Sequence, residues 1–297
     1  MTLFDTIRFI TGHPLNRGHR INSIIRFAKW QIASRLAPGA IVYDWVNGSR
    51  FLVNTGETGL TGNIYTGLHE FPEMGFVLHF LRDQDLFVDV GANVGSYTIL
   101  ACSAVGARGV AFEPIPGTYR RLVENMRLNG LDDKVLCVNQ GVGAHPGELA
   151  FTSDSDTTNH AIAAGERRDD SVTVQLNSLD NALHGMSPSL IKIDVEGYES
   201  QVLEGAQQIL QNQALNAVIV ELNGSGSRYG YDDSKIVELM LNHDFRTYSY
   251  DPLNRTLTGV LGGKNLKSGN TLFIRNRSFV EERLKTSLRV TVHGSQF

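Results

Sequence analysis

Twelve residues, Leu86-Phe-Val-Asp-Val-Gly-Ala-Asn-Val-Gly-Ser-Tyr97, constrain this chain more than any other stretch. An apolar run (Leu86, Phe87, Val88, Val90) ends at Asp89 and Gly91. After Gly95 the period changes: Tyr97, Leu100, Ala101 and Ala104 stand at i, i+3, i+4 and i+7, one face of a helix. The run reads as a buried strand, a glycine-bearing turn and a helix. In open α/β sheets that turn is where ligands bind. Gly91 lets the backbone bend close to a ligand, and Gly95 lets helix and strand approach.

The spacing is Asp-x-Gly-x-x-x-Gly, with Asn93 where a dinucleotide fingerprint has its second glycine. A phosphate loop's Gly-Lys-Ser/Thr is also absent. Both common phosphate cradles are disfavoured. The loop suits a nucleoside cofactor without a pyrophosphate, and S-adenosyl-L-methionine fits. Its positive sulfonium tolerates a nearby carboxylate that would repel a phosphate.

From Asp85 the pattern alternates strand and helix: strands at 108–113, 135–141, 190–195 and 217–222, with helices at 116–129, 198–210 and 234–242. Repeated β-α units predict an α/β fold, a mostly parallel sheet with helices on both faces. Late strands at 246–250 and 271–275 add an antiparallel edge. Before this region, residues 70–81 read as a helix with Glu70 and Glu73 solvated unless the helix lines the pocket. Residues 56–67 read as a glycine-rich loop, and 40–55 as a hairpin turning at Asn47-Gly48. The expected division is an N-terminal extension, 1–69, and a cofactor-binding domain, 70–297. Gly147–Thr152 and Ser171–Leu176 alternate like an antiparallel pair, and 153–170 reads as a mobile substrate loop.

Glu113 ends the second strand, where an acid accepts hydrogen bonds from both ribose hydroxyls. Asn139, Gln140, Gly141 and Val142 follow the third strand, at the position for an adenine edge. In Ile191-Lys-Ile-Asp-Val-Glu-Gly197, Asp194 and Glu196 project at the carboxyl end of a middle strand. Two carboxylates there can position a hydroxyl, act as a general base or bind a cation, unless one caps the next helix. No metal is expected. Glu221 is a weaker candidate for the substrate end, and His160, above the cleft, is a candidate base.

Twenty-seven Lys and Arg against 31 Asp and Glu give a net charge of −4, with no nucleic-acid signature. Cys102 and Cys137 suit free thiols in a reducing compartment. The N-terminus does not read as a secretory signal and no run is long enough to span a membrane, so a cytoplasmic location is expected. Residues 1–37 nevertheless carry six cations and one acid. Within 19–36, Ile21, Ile24, Ile25, Ala28, Ile32 and Leu36 recur at helical spacing. This basic amphipathic helix could rest on an anionic membrane surface, on its own domain or on a second copy in a homo-oligomer.

These motifs together resemble the FkbM family of S-adenosylmethionine-dependent methyltransferases. The matching pieces are Phe87–Thr98, Ala111-Phe-Glu-Pro114 with Asn125 and Asn129, Leu190–Gly197 with Leu203-Glu-Gly-Ala206, Val220-Glu221 and Thr271–Arg275. The resemblance implies a seven-stranded Rossmann-like methyltransferase fold and methylation of a hydroxyl on a sugar, glycan or polyketide-type natural product. It implies that Asp89, Gly91, Asn93, Gly95 and Glu113 hold the cofactor. Asp194 and Glu196 would stand at the join of cofactor and substrate, Asp194 touching the cofactor as well. Gly141-Val-Gly-Ala144 departs from the family pattern on the adenine side. The rivals are an NAD-dependent oxidoreductase, which the missing middle glycine disfavours, and a fold relative that binds the cofactor without transfer.

Overall fold

A computed structural model describes residues 2–54, 57–152, 159–163, 171–266 and 269–297. The chain opens with helices α1 (Leu3–Gly12) and α2 (Arg20–Leu36), then a hairpin of β1 (Ile41–Asp44) and β2 (Arg50–Val53). The hairpin turns where expected, with Asn47 and Gly48 at φ 52° and 80°. The glycine-rich segment is not a loop: α3 (Thr58–Thr66) occupies it. Buried Leu60 and Ile64 outweigh the poor helix propensity of Gly59 and Gly62, and a Cβ at Gly62 would stand 2.7 Å from His69. Helix α4 (Phe71–Phe80) follows as expected.

The sheet begins at β3 (Leu86–Val90), followed by α5 (Ser96–Ile99), which widens into a π-helical turn over Leu100–Val105. Next come β4 (Arg108–Phe112), α6 (Pro116–Leu128), β5 (Val135–Val138) and the short β6 (Gly141–Val142). Strands β7 (Gly147–Thr152) and β8 (Ser171–Asn177) pair antiparallel, as their alternation predicts. Of the expected mobile loop, 153–158 and 164–170 lie outside the described residues. The intervening piece is paired: the Thr152 N–H donates to the His160 carbonyl and the Ile162 N–H to that of Ala150.

After α7 (Leu179–Ala182) and β9 (Leu190–Ile193), the helix expected over 198–210 is two short ones, α8 (Glu199–Glu204) and α9 (Gln207–Gln211). They part at Gly205, whose Cβ would lie 2.2 Å from the Gly143 carbonyl oxygen. Close packing on that strand end selects glycine and breaks the helix. Then follow β10 (Ala217–Glu221), α10 (Asp233–Asn242), β11 (Arg246–Asp251), β12 (Thr256–Gly259), β13 (Asn270–Ile274), α11 (Arg277–Thr286) and the terminal pair β14 (Thr291–Val292) and β15 (Ser295–Gln296).

The main sheet has the order β12-β11-β13-β10-β9-β3-β4-β5. Strands β10, β9, β3, β4 and β5 are parallel, and β13, β11 and β12 run antiparallel. The sheet thus has eight strands, the expected late edge having gained β12. From β3 the chain winds outward to β5 and returns to β9 on the other side, so the topological switch point lies between β3 and β9. Both faces are covered, and the parallel strands are therefore mostly apolar, with Asp89 and Lys192 the buried exceptions. On one face Phe87, Ala111, Leu190 and Ile219 join a core that runs unbroken into Trp30, Phe51, Leu60 and Phe71. On the other, Val88, Val110, Ile191 and Val218 meet α8, α9 and α10.

His79 of α4 is fully buried, with Nδ1 2.7 Å from the Tyr250 hydroxyl. Burial pushes it down to about 4. A histidine depressed on folding stabilises the fold above its unfolded value of about 6.5, and that contribution disappears as the pH falls toward 4. At about 1.4 kcal/mol per unit, wild type should lose roughly 3 kcal/mol from this group. Urea titrations from pH 7 to 4 should therefore show a shallower loss of stability in His79→Asn than in wild type; parallel curves would refute the assignment.

Candidate active site

At the carboxyl ends of β3, β4, β9 and β10 lies a cavity of about 320 Å³. Its floor is the first glycine turn. The Gly91 and Ala92 N–H groups both donate to the Phe112 carbonyl, which ties the turn to β4. Gly91 stands at φ 80°, and a Cβ there would lie 1.8 Å from the Asp194 carbonyl oxygen. Only glycine lets the β3 and β9 turns touch. Asn93 is held at φ 50°, its N–H donating to Glu113 Oε2 at 3.0 Å. The other Glu113 oxygen accepts from the Ile115 N–H at 2.9 Å. Burial pushes Glu113 up to about 7 against those two bonds.

Asp89 is buried beneath the turn. One carboxylate oxygen accepts from Thr98 Oγ1 at 2.7 Å, and the other, Oδ1, has no hydrogen-bond partner among the described residues. Burial raises its pKa, and Lys192 opposes the rise. Gln140, Gly141 and Val142 form the wall beyond Glu113. Asn139 stands behind it, its amide donating to the Glu113 and Pro114 carbonyls. Gly95 is not part of the wall. At φ 94°, its missing side chain makes room for Leu122 and Met126 of α6.

The second half of the site comes from β9 and β10. The pleat puts Lys192 on the same face as Asp89, its Cα partner across the β3–β9 pair. The Lys192 ammonium is buried, donates to Asp194 Oδ2 at 2.7 Å and stands 4.7 Å from the centre of the Tyr97 ring. Burial alone would lower its pKa, but Asp194, Asp89 and Glu70 outweigh burial and hold it charged. Tyr97 in turn donates to Glu70 Oε2 at 2.7 Å, and Asn270 donates to the other Glu70 oxygen. Glu70, half-buried, therefore lines the cavity, and Glu73 is buried rather than solvated.

Glu196 sits at φ 53° in the turn after β9. Burial and then the Asp194 charge raise its pKa, while Arg228 and His160 act the other way. Neither acid caps α8, whose N-cap Tyr198 makes no side-chain cap bond; Glu199, its first residue, ties the preceding turn, Oε1 accepting from the Val195 and Gly197 N–H groups at 3.2 and 3.1 Å. That leaves Asp194 and Glu196 for the cavity. Glu221 completes a triangle in which one oxygen of each carboxylate lies within 4.8 Å of the others. Burial, Asp194 and Glu196 push Glu221 well up from the usual carboxylate range, and Lys192 opposes them.

His160 does not line the cavity; Asn159 beside it does. The His160 backbone is tied to Thr152, accepting from the Thr152 N–H and donating to Thr152 Oγ1, and its ring is near enough to Glu196 to act on that charge. Sequence reasoning missed Lys192 and Tyr97. The signal for Lys192 was present: a lone cation in an apolar strand two residues before the key acid.

A glycine turn at the switch point, an acid at the end of the neighbouring strand and carboxylates at the third make a cleft of the kind Rossmann-like α/β folds use for ligands. Residues 89–247 match the Methyltransferase FkbM domain, and the chain belongs to that family; it is a methyltransferase. It is similar to the hexuronic acid methyltransferase AglP of Haloferax volcanii, 29% identical over 191 residues, covering 63% of this chain and 73% of AglP. Methyltransferase sdnD of Sordaria araneosa is 25% identical over 182 residues, 50% of this chain and 70% of the relative. Among solved structures, an rRNA methylase from Streptococcus thermophilus matches with a TM-score of 0.39 and 13% identity, over 68% of this chain and 91% of the methylase.

The two loop glycines should respond differently to substitution. Gly91→Ala drives a Cβ into backbone, whereas Gly95→Ala meets the tips of Leu122 and Met126, which can move. Both pay for a positive φ, on the order of 1 kcal/mol. Urea denaturation should find Gly91→Ala the more destabilised by at least about 2 kcal/mol; equal losses would show that the β3–β9 contact relaxes freely.

Proposed function

We propose that the protein is an S-adenosylmethionine-dependent O-methyltransferase acting on a hydroxyl of a sugar or glycan, or of a polyketide-type natural product. The observation that carries this reading is the carboxylate triangle of Asp194, Glu196 and Glu221, set beside the glycine-turn cavity with a buried ammonium on Asp194. The cofactor fits the residues present. Asp89 Oδ1, buried and without a partner among the described residues, suits an ammonium. Glu113 keeps lone pairs for ribose hydroxyls beyond its two N–H bonds, and Gln140, Gly141 and Val142 offer a flat wall for a base. When bound, S-adenosylmethionine supplies an electrophilic methyl group.

The chain's own task is to align the acceptor hydroxyl, exclude water and take the proton. Glu196 is the proposed base: a carboxylate of raised pKa accepts the hydroxyl proton as the oxygen gains its new bond to carbon. Asp194, pinned by Lys192, orients the same hydroxyl. Glu221, when protonated, can donate to a second substrate oxygen. His160, set back from the wall, acts through the charge of Glu196. Lys192 already supplies positive charge, so no metal is required. The polar wall of His69, Glu70 and Asn159 suits a polyhydroxyl acceptor, and the hexuronic acid relative supports that substrate class.

Calorimetric titration with S-adenosylhomocysteine, and separately with NAD, tests the cofactor. The former alone should bind, and Glu113→Ala should weaken it about 100-fold through two lost charge-assisted bonds; binding of NAD alone would overturn the reading. Because the ionised carboxylate is the better acceptor, affinity should rise as the pH passes upward through about 7. In Glu113→Gln the profile should be flat.

Turnover on a sugar acceptor should fall about 100-fold or more in Glu196→Gln, with S-adenosylhomocysteine affinity within a few-fold of wild type. Unchanged turnover would move the proton to another group. Activity should survive EDTA; loss restored by a divalent cation would show that the carboxylate triangle holds an ion.

A further inference from the structure

Helix α2 is built inside out. Its isoleucine stripe does not pack on the domain: Ile21, Ile32 and Leu36 are 76, 61 and 79% exposed, with Ile24 and Ile25 also open to solvent. The helix docks through the opposite face, where Ser23, Trp30 and Ser34 are buried. The preceding helix α1 likewise exposes Leu3 and Phe4. So large an exposed apolar face marks an interaction surface.

The charge around the stripe says what covers it. Arg8, Arg17, Arg20, Lys29 and Arg35 are exposed, while Arg26 is spent on the Ile64 and Tyr65 carbonyls and Asn16 Oδ1. The only acid of residues 1–37, Asp5, is held by Thr2 in the cap of α1. The other 260 residues carry 21 cations against 30 acids, so the molecule is polarised, basic on the helix pair and acidic elsewhere. An apolar groove of about 460 Å³, lined by Ile25, Lys29, Trp30, Ile41, Tyr43 and Ile64, opens beside the stripe.

We propose that α1 and α2 form a docking surface for an anionic lipid bilayer, with the isoleucine face seated at the acyl boundary and the cations at the headgroups. An amphipathic helix with exposed aliphatics and flanking Arg and Lys has that partition. The acidic body turns away from a negative surface, which fixes the orientation. A second copy of this chain is the poorer partner, because a two-fold interface would set each basic face against its twin.

The test is co-sedimentation of the full chain with vesicles of phosphatidylcholine alone and of phosphatidylcholine with phosphatidylglycerol. Binding is expected only to the anionic vesicles and should weaken about 10-fold in high salt. Ile21→Ser with Ile32→Ser, and separately Arg20→Glu with Lys29→Glu, should each cut it by about 10-fold or more. These four side chains are exposed, so the fold does not depend on them. Failure of wild type to bind anionic vesicles, or binding by both variants that matches wild type, overturns the proposal. So does a dimer in sedimentation velocity that the Ile→Ser pair dissolves, which would assign the face to a second copy. The cofactor titrations read a different surface, so neither result decides the other.

Discussion

One buried ammonium, that of Lys192, holds the site together. Around it stand Asp194, Asp89 and Glu70, whose negative charges hold the ammonium protonated against its burial. The register that pairs Asp89 with Lys192 places the cation between the acid of the first motif and that of the second. A neutral residue at 192 would leave the anions uncompensated, which is far more damaging than removing the whole set. The Tyr97 ring adds its face to the ammonium and reaches through its hydroxyl to Glu70 on α4. Helix α4, the glycine turn and the β9 turn are thereby locked around one charge.

Away from that cation the molecule is balanced by protons. Burial raises Glu113 and Glu199 to about 7, and lifts Glu221 well above the usual carboxylate range. Carboxyls raised above their unfolded values favour the fold most below about 4.5 and lose that contribution as the pH rises through about 7. The buried histidines run the other way. His13 falls to about 4 and His293 to about 3, both chiefly through burial, and their support is lost as the pH drops below 6.5. Rising pH therefore strains the catalytic cleft, and falling pH strains the layer where the two chain termini meet.

The parallel core was legible because strands buried on both faces must be mostly apolar, and each ends where a Gly, Asp, Glu or Asn interrupts the run. Asp89, Glu113, Asp194 and Glu196 were found as strand-end acids, and Gln140 to Val142 by position alone. What stayed hidden depends on tertiary contact. Gly59 and Gly62 read as loop because nothing local reveals that His69 stands against Gly62 and that Leu60 and Ile64 are buried. Gly205 looked like an ordinary helical residue until the Gly143 carbonyl was seen to fill the space of its Cβ. Glu70 and Tyr97, 27 positions apart, carry no sign of their hydrogen bond. The isoleucine stripe of α2 was legible as a stripe, but its direction was not. Periodicity reports that a face exists, and only packing tells whether the face looks inward.

The side chain of Asn125 gives the N-terminal hairpin a hold on the glycine turn after β3. Its Oδ1 accepts from the Leu52 N–H of β2 at 2.7 Å, and its Nδ2 donates to the Val94 carbonyl at 2.7 Å. One planar amide serves both partners, and only one of its two flip states satisfies them. Aspartate would keep the first bond and set anion against carbonyl in the second; leucine would forfeit both. The hairpin and the turn thus behave as a single hinged plate: what lifts β2 must rotate or vacate that amide, and Val94 answers at the mouth of the cavity.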